Sequence, residues 1–234
     1  MFPFSFKKSI VQSGILPHFI DYHSHILPGV DDGVKTLEES IKILDQYEQW
    51  GVKQVVFTPH IMEEYPHNQP EFLRDKFTDF CAQYKGKVSL RLGGEYMIDG
   101  GFSKHVQNGG MLTIKDQHLL VETSYAYEPP GFLGLLREAK DKGYQLVLAH
   151  PERYIFMTKG LHQQIKQLGV LYQLNLPSLF GYYGLKVAQN AKEMLERNEY
   201  SYFGSDIHRV ESLKTIFQTK GLNASLFKGL TSKV

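Results

Sequence analysis

The chain has 234 residues, 42% hydrophobic, 22% charged and 13% aromatic, enough to bury a substantial core without covalent staples. A formal net charge of +1, with no basic run longer than two residues, argues against binding to a nucleic-acid backbone, which requires a clustered positive face. The single cysteine, Cys81, excludes an internal disulfide; no stretch approaches the ~20 apolar residues of a membrane helix and no signal-peptide pattern opens the chain, so a cytoplasmic setting without stable membrane insertion is expected.

No linker, repeat or low-complexity stretch divides the chain, so one domain over 1–234 is expected, with 1–17 as an N-terminal arm. The first β-like run, 18–25, ends in DYHSH. Successive strand side chains alternate, so His23 and His25 share a face. A loop carrying Asp31 and Asp32 follows. Thr36 and Glu39 have capping-box spacing, and Ile41, Leu44, Tyr47 and Trp50 form an apolar stripe at helical period. The second run, 52–59, leads into His60, and the third, 88–95, ends in Glu95. The fourth, 118–122, ends in Glu122. Phe132 to Lys142 reads as a helix closed by Gly143. The fifth run, 145–150, ends in His150 and the sixth, 169–175, in Asn175. A helix over 184–197 precedes the seventh run, 200–206, which delivers Asp206 and then His208.

Alternating strands and helices imply βα units and a mainly parallel sheet. Seven strands in a chain of this length suit a small or distorted TIM-like barrel, with an open doubly wound sheet as the structural alternative. In a parallel barrel all strand C-termini gather at one face. Five histidines and several carboxylates would then converge, and burying those carboxylates without cations is costly. Mixed nitrogen and oxygen donors suit divalent first-row metals. The remaining histidines, His18, His67, His105, His118 and His162, lie in loop or polar contexts and are expected mostly at the surface. Cys81 has no arginine six residues on, so the cysteine-phosphatase loop is absent and a small core thiol is expected. The glycine pairs at 93–94, 100–101 and 109–110 lack the dinucleotide-binding layout and read as turn signals.

The segments D-x-H-S-H, T-x-H, G-x-E, A-H-x-E-R-Y and S-D-x-H, taken in order, resemble the PHP (polymerase and histidinol phosphatase) superfamily. HSHILPGVDDG together with AHPERY resembles its branch of bacterial manganese-dependent protein tyrosine phosphatases of the CpsB/YwqE type, over about residues 19–209. The resemblance implies a distorted seven-stranded β/α barrel of the PHP type holding three divalent ions, manganese foremost, with iron or zinc also fitting. His23, His25, Glu95 and Asp206 would hold the first ion, and Asp32, His60 and His208 the second. Glu95, Glu122 and His150 would hold the third, so Glu95 would bridge; the loop ligand is Asp32 or its neighbour Asp31.

Three divalent ions against four carboxylates and one hydroxide leave about one positive charge, which favours a phosphomonoester dianion. Arg153, three residues after His150, offers planar two-point contact to phosphoryl oxygens. Asp206 and His208 belong with Arg153 in the expected catalytic set, whereas Arg209 reads equally as a helper or an exposed residue. The chemistry implied is hydrolysis by water whose pKa the ions lower, with no phospho-enzyme. A phenol leaving group, with a pKa of about 10, makes light demands on a general acid. Asn175 reads either as a positioning group or as a structural hydrogen-bonder. Tyr65, Tyr125, Tyr127, Phe180, Tyr182 and Tyr183 are candidates to pack on a phosphotyrosine ring, with core cover the stronger reading for Phe180. The partner implied is a phosphotyrosine protein, the tail of a bacterial tyrosine kinase controlling capsule or exopolysaccharide export. The rival readings are a phosphatase of a small metabolite such as histidinol phosphate, an amidohydrolase-type enzyme, and a metal-bound phosphotyrosine-binding module without turnover.

Overall fold

The computed structural model describes residues 7–231. Nine short strands occur among them: β1 (Ile20–Asp21), β2 (Gln54–Phe57), β3 (His60–Ile61), β4 (Ser89–Leu92), β5 (Glu95–Met97), β6 (His118–Glu122), β7 (Gln145–Ala149), β8 (Leu171–Asn175) and β9 (Tyr202–Gly204). All pair in parallel, six in the order β3-β5-β6-β7-β8-β9 and three in the order β1-β2-β4. The α/β class with a parallel sheet is as expected; seven continuous strands are not found.

The extra strands come from two interruptions. The second run breaks at Thr58–Pro59, because proline has no N–H to give to a ladder. The third breaks at Gly93–Gly94, which is therefore a crossing of packed segments rather than a turn. A Cβ on Gly94 would lie 2.7 Å from Ile61 Cδ1, and one on Gly93 3.1 Å from Ile114 Cγ2. Backbone bonds nevertheless bridge the breaks: Gly93 N donates to Phe57 O at 2.8 Å and Glu95 N to Pro59 O at 3.1 Å. The first run also reaches the seventh, with Tyr22 N donating to Phe203 O at 3.1 Å and Asp206 N to His23 O at 2.8 Å.

The described helices are α1 (Ile10–Ser13), α2 (Leu37–Gln49), α3 (Pro70–Gln83), α4 (Phe102–Asn108), α5 (Phe132–Asp141), α6 (Lys159–Gln167), α7 (Leu185–Glu196), α8 (Ser212–Gln218) and α9 (Ala224–Thr231). Thr36 and Glu39 form the expected capping box at the start of α2. The buried stripe of α2 is Ser40, Ile43, Leu44 and Tyr47, so Ile41 and Trp50 flank it, half-buried. Gly143 follows α5 with φ +95°, the left-handed conformation that a helix end of this kind requires. No helix among the described residues is long and apolar enough to cross a membrane.

One large core cluster runs from Ile10 to Leu230, and a smaller one, containing Val56, Ile114, Leu120, Val147, Ala149 and Tyr202, is built mainly from strand residues. Alternation along β6 divides them, Leu119 and Val121 entering the large cluster and Leu120 the small one. The expected N-terminal arm is largely part of the body: Ile10, Ile15 and Leu16 are buried in the large cluster, while residues 1–6 lie outside the described residues. Cys81 is exposed, contrary to the core position expected, because α3 turns Leu73 and Phe80 inward and carries the next residue outward.

Asp21 ties the first and last runs to α2. Its fully buried carboxyl accepts Ser205 N at 2.8 Å, Ser205 Oγ at 2.6 Å and Tyr47 Oη at 2.8 Å. Burial pushes its pKa up, and the hydrogen bonds from Ser205 oppose that rise. Asp21→Ala strands four buried donors, those three and the His23 backbone N–H, and is expected to destabilise the fold by about 2–4 kcal/mol in urea denaturation, with Asp21→Asn costing less because it keeps an acceptor.

Candidate metal centre

The strand runs, together with the loop after the first of them, bring all nine expected ligands to one place. Glu95, at the start of β5, is the hub and is fully buried. Its Oε2 lies 3.1 Å from His23 Nε2, 3.3 Å from His25 Nε2 and 3.1 Å from His60 Nδ1, and its Oε1 lies 3.2 Å from His150 Nε2. Glu122, closing β6, approaches His60 Nδ1 at 3.0 Å. Asp206 Oδ1 sits 3.4 Å from His23 Nε2 and 3.5 Å from both His25 Nε2 and His208 Nδ1. Asp32 Oδ1 sits 3.4 Å from His60 Nε2 and 3.5 Å from His208 Nε2.

These donors form four overlapping groups, each with ligand atoms within 4.8 Å of one another: His25–Asp32–His60–His208, His23–His25–Glu95, His23–His150–Asp206 and His60–Glu95–Glu122. The grouping departs from the expected sets in three places, the first being that His25 also joins Asp32, His60 and His208. His60 offers one ring nitrogen to Asp32 and the other to the glutamates, so it stands between two groups; His150 falls with His23 and Asp206 as well as beside Glu95. The two nitrogens of an imidazole project in different directions, which linear spacing does not reveal.

Local backbone geometry sets these positions. His150 and Asp206 both adopt positive φ, +35° and +52°, a conformation costing a non-glycine residue about 1–3 kcal/mol. After His150 a tight 3-10 turn over Pro151–Arg153, closed by Arg153 N donating to His150 O at 3.0 Å, brings Arg153 back beside the cluster. Close packing fixes the paired histidines: a Cβ on Gly204 would lie 2.4 Å from His23 Cβ, and one on Gly33 2.3 Å from His25 O.

Asp31 and Asp32 differ in placement. Asp31 is buried, with Oδ2 accepting from His25 Nδ1 at 2.9 Å and from His60 N at 3.0 Å, and Oδ1 accepting from Gly33 N at 2.9 Å. Asp31 therefore orients His25 from behind, whereas Asp32, with a side chain 59% exposed, faces the donor group. Gln173 Oε1 does for His23 Nδ1, at 2.9 Å, what Asp31 does for His25. Asn175 Nδ2 donates to Asp206 Oδ2 at 2.7 Å, and buried Glu152 accepts Asn175 N and Tyr200 Oη, each at 3.0 Å. Gln173 and Glu152 escaped the reading of the sequence. Gln173 sits two residues before a strand end, where the alternation rule could have found it beside Asn175; the direction of Glu152 depends on the 3-10 turn and left no periodic signal.

The electrostatics favour cations. Burial alone would depress the His23 pKa, but Glu95 and Asp206 overcome it and raise it to about 10. Burial likewise opposes protonation of His60, and Glu122 and Glu95 prevail, raising its pKa well above the ordinary value. Burial works against the charged forms of Glu95 and Asp206, yet His23 and its neighbours hold both carboxyls below their usual range. His60 Nδ1, Glu95 Oε2 and Glu122 Oε1 are buried and within contact distance, but none has a hydrogen-bond partner. Lone pairs that converge without hydrogen-bond geometry, on nitrogen and carboxylate oxygen, fit divalent first-row ions.

A cavity of about 450 Å³ opens over the cluster. Arg153 Nη1 donates to Asp206 Oδ2 at 3.0 Å, and the guanidinium lies over the rings of Tyr125 and Tyr183, 4.1 and 4.0 Å from their centroids. Tyr65 stacks on His60 at 6.1 Å, and the exposed Arg209 lines the cavity. Tyr127 and Tyr182 are exposed, while Phe180 packs against the core. Of the other histidines, His18 and His67 are exposed; His105, His118 and His162 are half-buried, His162 because it pairs with Glu199 at 3.4 Å and meets Tyr172.

A metal ion would displace the protons that the imidazoles otherwise carry, so binding is expected to release protons and weaken as pH falls. Without metal, the raised His23 pKa contributes stability that is complete below 6.5 and lost as pH rises towards about 10. The melting temperature of EDTA-treated protein should therefore fall across that window, and the increase produced by added Mn²⁺ should grow over the same range, in thermal denaturation followed by circular dichroism.

Comparison with known proteins places this geometry. Residues 19–218 match the family described as capsular polysaccharide synthesis, CpsB/CapC. The chain is 27% identical over 215 residues to the putative tyrosine-protein phosphatase CapC of Staphylococcus aureus, covering 88% of this chain and 84% of that protein. It is 27% identical over 199 residues to the tyrosine-protein phosphatase YwqE of Bacillus subtilis, covering 82% and 78%. A crystal structure from work on B. subtilis YwqE and Streptococcus pneumoniae CpsB, described as unique metal-dependent tyrosine phosphatases, shares the fold with a TM-score of 0.75 at 23% identity, covering 92% of this chain and 87% of that one. With 200 consecutive residues matched and the polar strand ends assembled at one mouth, the chain belongs to the CpsB/CapC capsular polysaccharide synthesis family.

Proposed function

We propose that this chain is a metal-dependent protein-tyrosine phosphatase. The observation that carries the reading is the assembly of nine histidine and carboxylate residues, Glu95 among them, with Arg153 fixed at the edge. The naming of its relatives as tyrosine-protein phosphatases supports it. His23, His25, Glu95 and Asp206 would hold one ion, Asp32, His60 and His208 a second, and Glu95, Glu122 and His150 a third, with His60 and His150 each near enough to serve a neighbouring group. Manganese is the preferred ion, and iron or zinc suits the same donors. When bound, such ions supply Lewis acidity, lowering the pKa of water and offsetting phosphoryl charge.

The chain's own groups do the rest. Arg153 meets the equatorial phosphoryl oxygens with the part of its donor fork that Asp206 leaves free, and stabilises the charge that develops there. Asn175 and Tyr183 donate to the same Asp206 oxygen, at 2.7 and 3.4 Å, so Asp206 cannot swing away when substrate engages Arg153. Cys81 is on α3 and does not line the cavity, so no cysteine nucleophile is needed or offered. The shared core of the described residues supports one catalytic domain, and the bonds from the first run to the seventh support a distorted seven-stranded barrel as the frame. The substrate assigned is the tyrosine-phosphorylated tail of a bacterial kinase controlling capsule or exopolysaccharide synthesis, in the cytoplasm.

The test is release of phosphate from a phosphotyrosine peptide by metal-stripped protein reloaded with Mn²⁺, with phosphoserine peptide and histidinol phosphate as comparisons. Glu95→Ala and His60→Ala should each lower kcat/KM by about a thousandfold or more, and Arg153→Ala by about 10²–10³-fold. Bound metal by elemental analysis without turnover of any of the three would sink the reading.

A further inference from the structure

In the charged half of the cavity Arg153 and the histidine rings already pack against other rings, of which Tyr125 stays 40% exposed. The Arg153 guanidinium lies over the rings of both Tyr125 and Tyr183. His60 stacks with Tyr65, and His208 stacks on His25 with ring centroids 4.0 Å apart. The same cavity is also lined by the apolar side chains of Pro177 and Ile216 and by Tyr182. Pro177 and Ile216 are buried and so present a fixed apolar surface. Tyr182 meets Tyr183 edge to face, centroids 4.9 Å apart at 83°, and remains 53% exposed.

We infer that Pro177, Tyr182 and Ile216 form an aryl subsite that receives the phenyl ring of the substrate and discriminates aryl from alkyl phosphates. The inference rests on the phosphatase reading for the placement of phosphate beside Arg153. Tyr125 and Tyr183 contribute by engaging Arg153, at 4.1 and 4.0 Å, so that Tyr182, 53% exposed, is the more open ring of the cavity. Tyr183 is shared by the two regions, one ring packing on Arg153 and on Tyr182, so phosphate and aryl positions are set by one rigid contact chain. Tyr182 is the adjustable member, because its exposure lets it be replaced without opening the core.

The experiment compares binding of phenylphosphonate and methylphosphonate to the Mn²⁺-loaded protein by isothermal titration calorimetry. Wild type should prefer the phenyl compound by about tenfold, and Tyr182→Ser should bring the ratio close to one by weakening that compound alone. Tyr182→Phe should retain the preference, since the ring and not the hydroxyl is used. No preference in wild type, an unchanged ratio in Tyr182→Ser, or an equal loss for both compounds would overturn the subsite. Turnover of p-nitrophenyl phosphate by wild type is measured in parallel. Its absence with the phenyl preference intact would sink the phosphatase reading and leave the subsite standing.

Discussion

The structure depends on one buried carboxylate. Glu95 is fully enclosed, and four imidazoles from three separate segments approach its two oxygens within 3.3 Å. A carboxylate in that position is stable only if positive charge accompanies it, as protons on the imidazoles or as metal ions between the groups. Either solution demands that the ends of the first, second, third and fifth runs arrive at the same point. The interruptions at Thr58–Pro59 and Gly93–Gly94 serve this demand, since each lets a strand change direction just before it presents His60 or Glu95.

The surroundings hold the cluster at a local cost. Left-handed backbone at His150 and Asp206 is unfavourable for residues with side chains, and glycine is needed at 33 and 204 because the backbone and side chains of His25 and His23 fill the space a Cβ would take. Asp21 and the core offset these costs from outside the site, joining β1, the end of β9 and α2 through buried hydrogen bonds. Behind the candidate ligands lie orienting groups, Asp31 for His25, Gln173 for His23 and Asn175 for Asp206. Their common effect is to leave each donor one direction in which to point, towards its neighbours.

Arg153 belongs to the same economy of fixed directions. Its charge is held in place by Asp206 and by two tyrosine rings, so it meets an incoming anion without first being ordered. The rings come from loops after β6 and β8, and the arginine from the turn after β7. Three successive loops thus build one clamp, as a parallel architecture permits because their strands end side by side.

Much of this was legible in the sequence. Apolar runs ending in His, Glu, Asp or Asn identified the strand ends and the candidate ligands, because strand alternation and the cost of buried charge act locally and leave a pattern. The helix cap at Thr36 was equally visible, being a contact between residues three apart. Three-dimensional packing decided the rest. It broke two runs into four strands and drew Ile10, Ile15 and Leu16 into the core. It also turned Cys81 to the surface, although one residue of helix phase separates it from buried Phe80. It separated Asp31 from Asp32, adjacent and chemically identical, by burying one against His25, Gly33 and the distant His60 N–H and giving the other an open mouth. The sequence by itself determined which chemical groups are present and roughly where each strand delivers them. Only the tertiary structure decided which nitrogen faces which oxygen and which ring covers Arg153, because those directions depend on contacts between residues far apart in the chain.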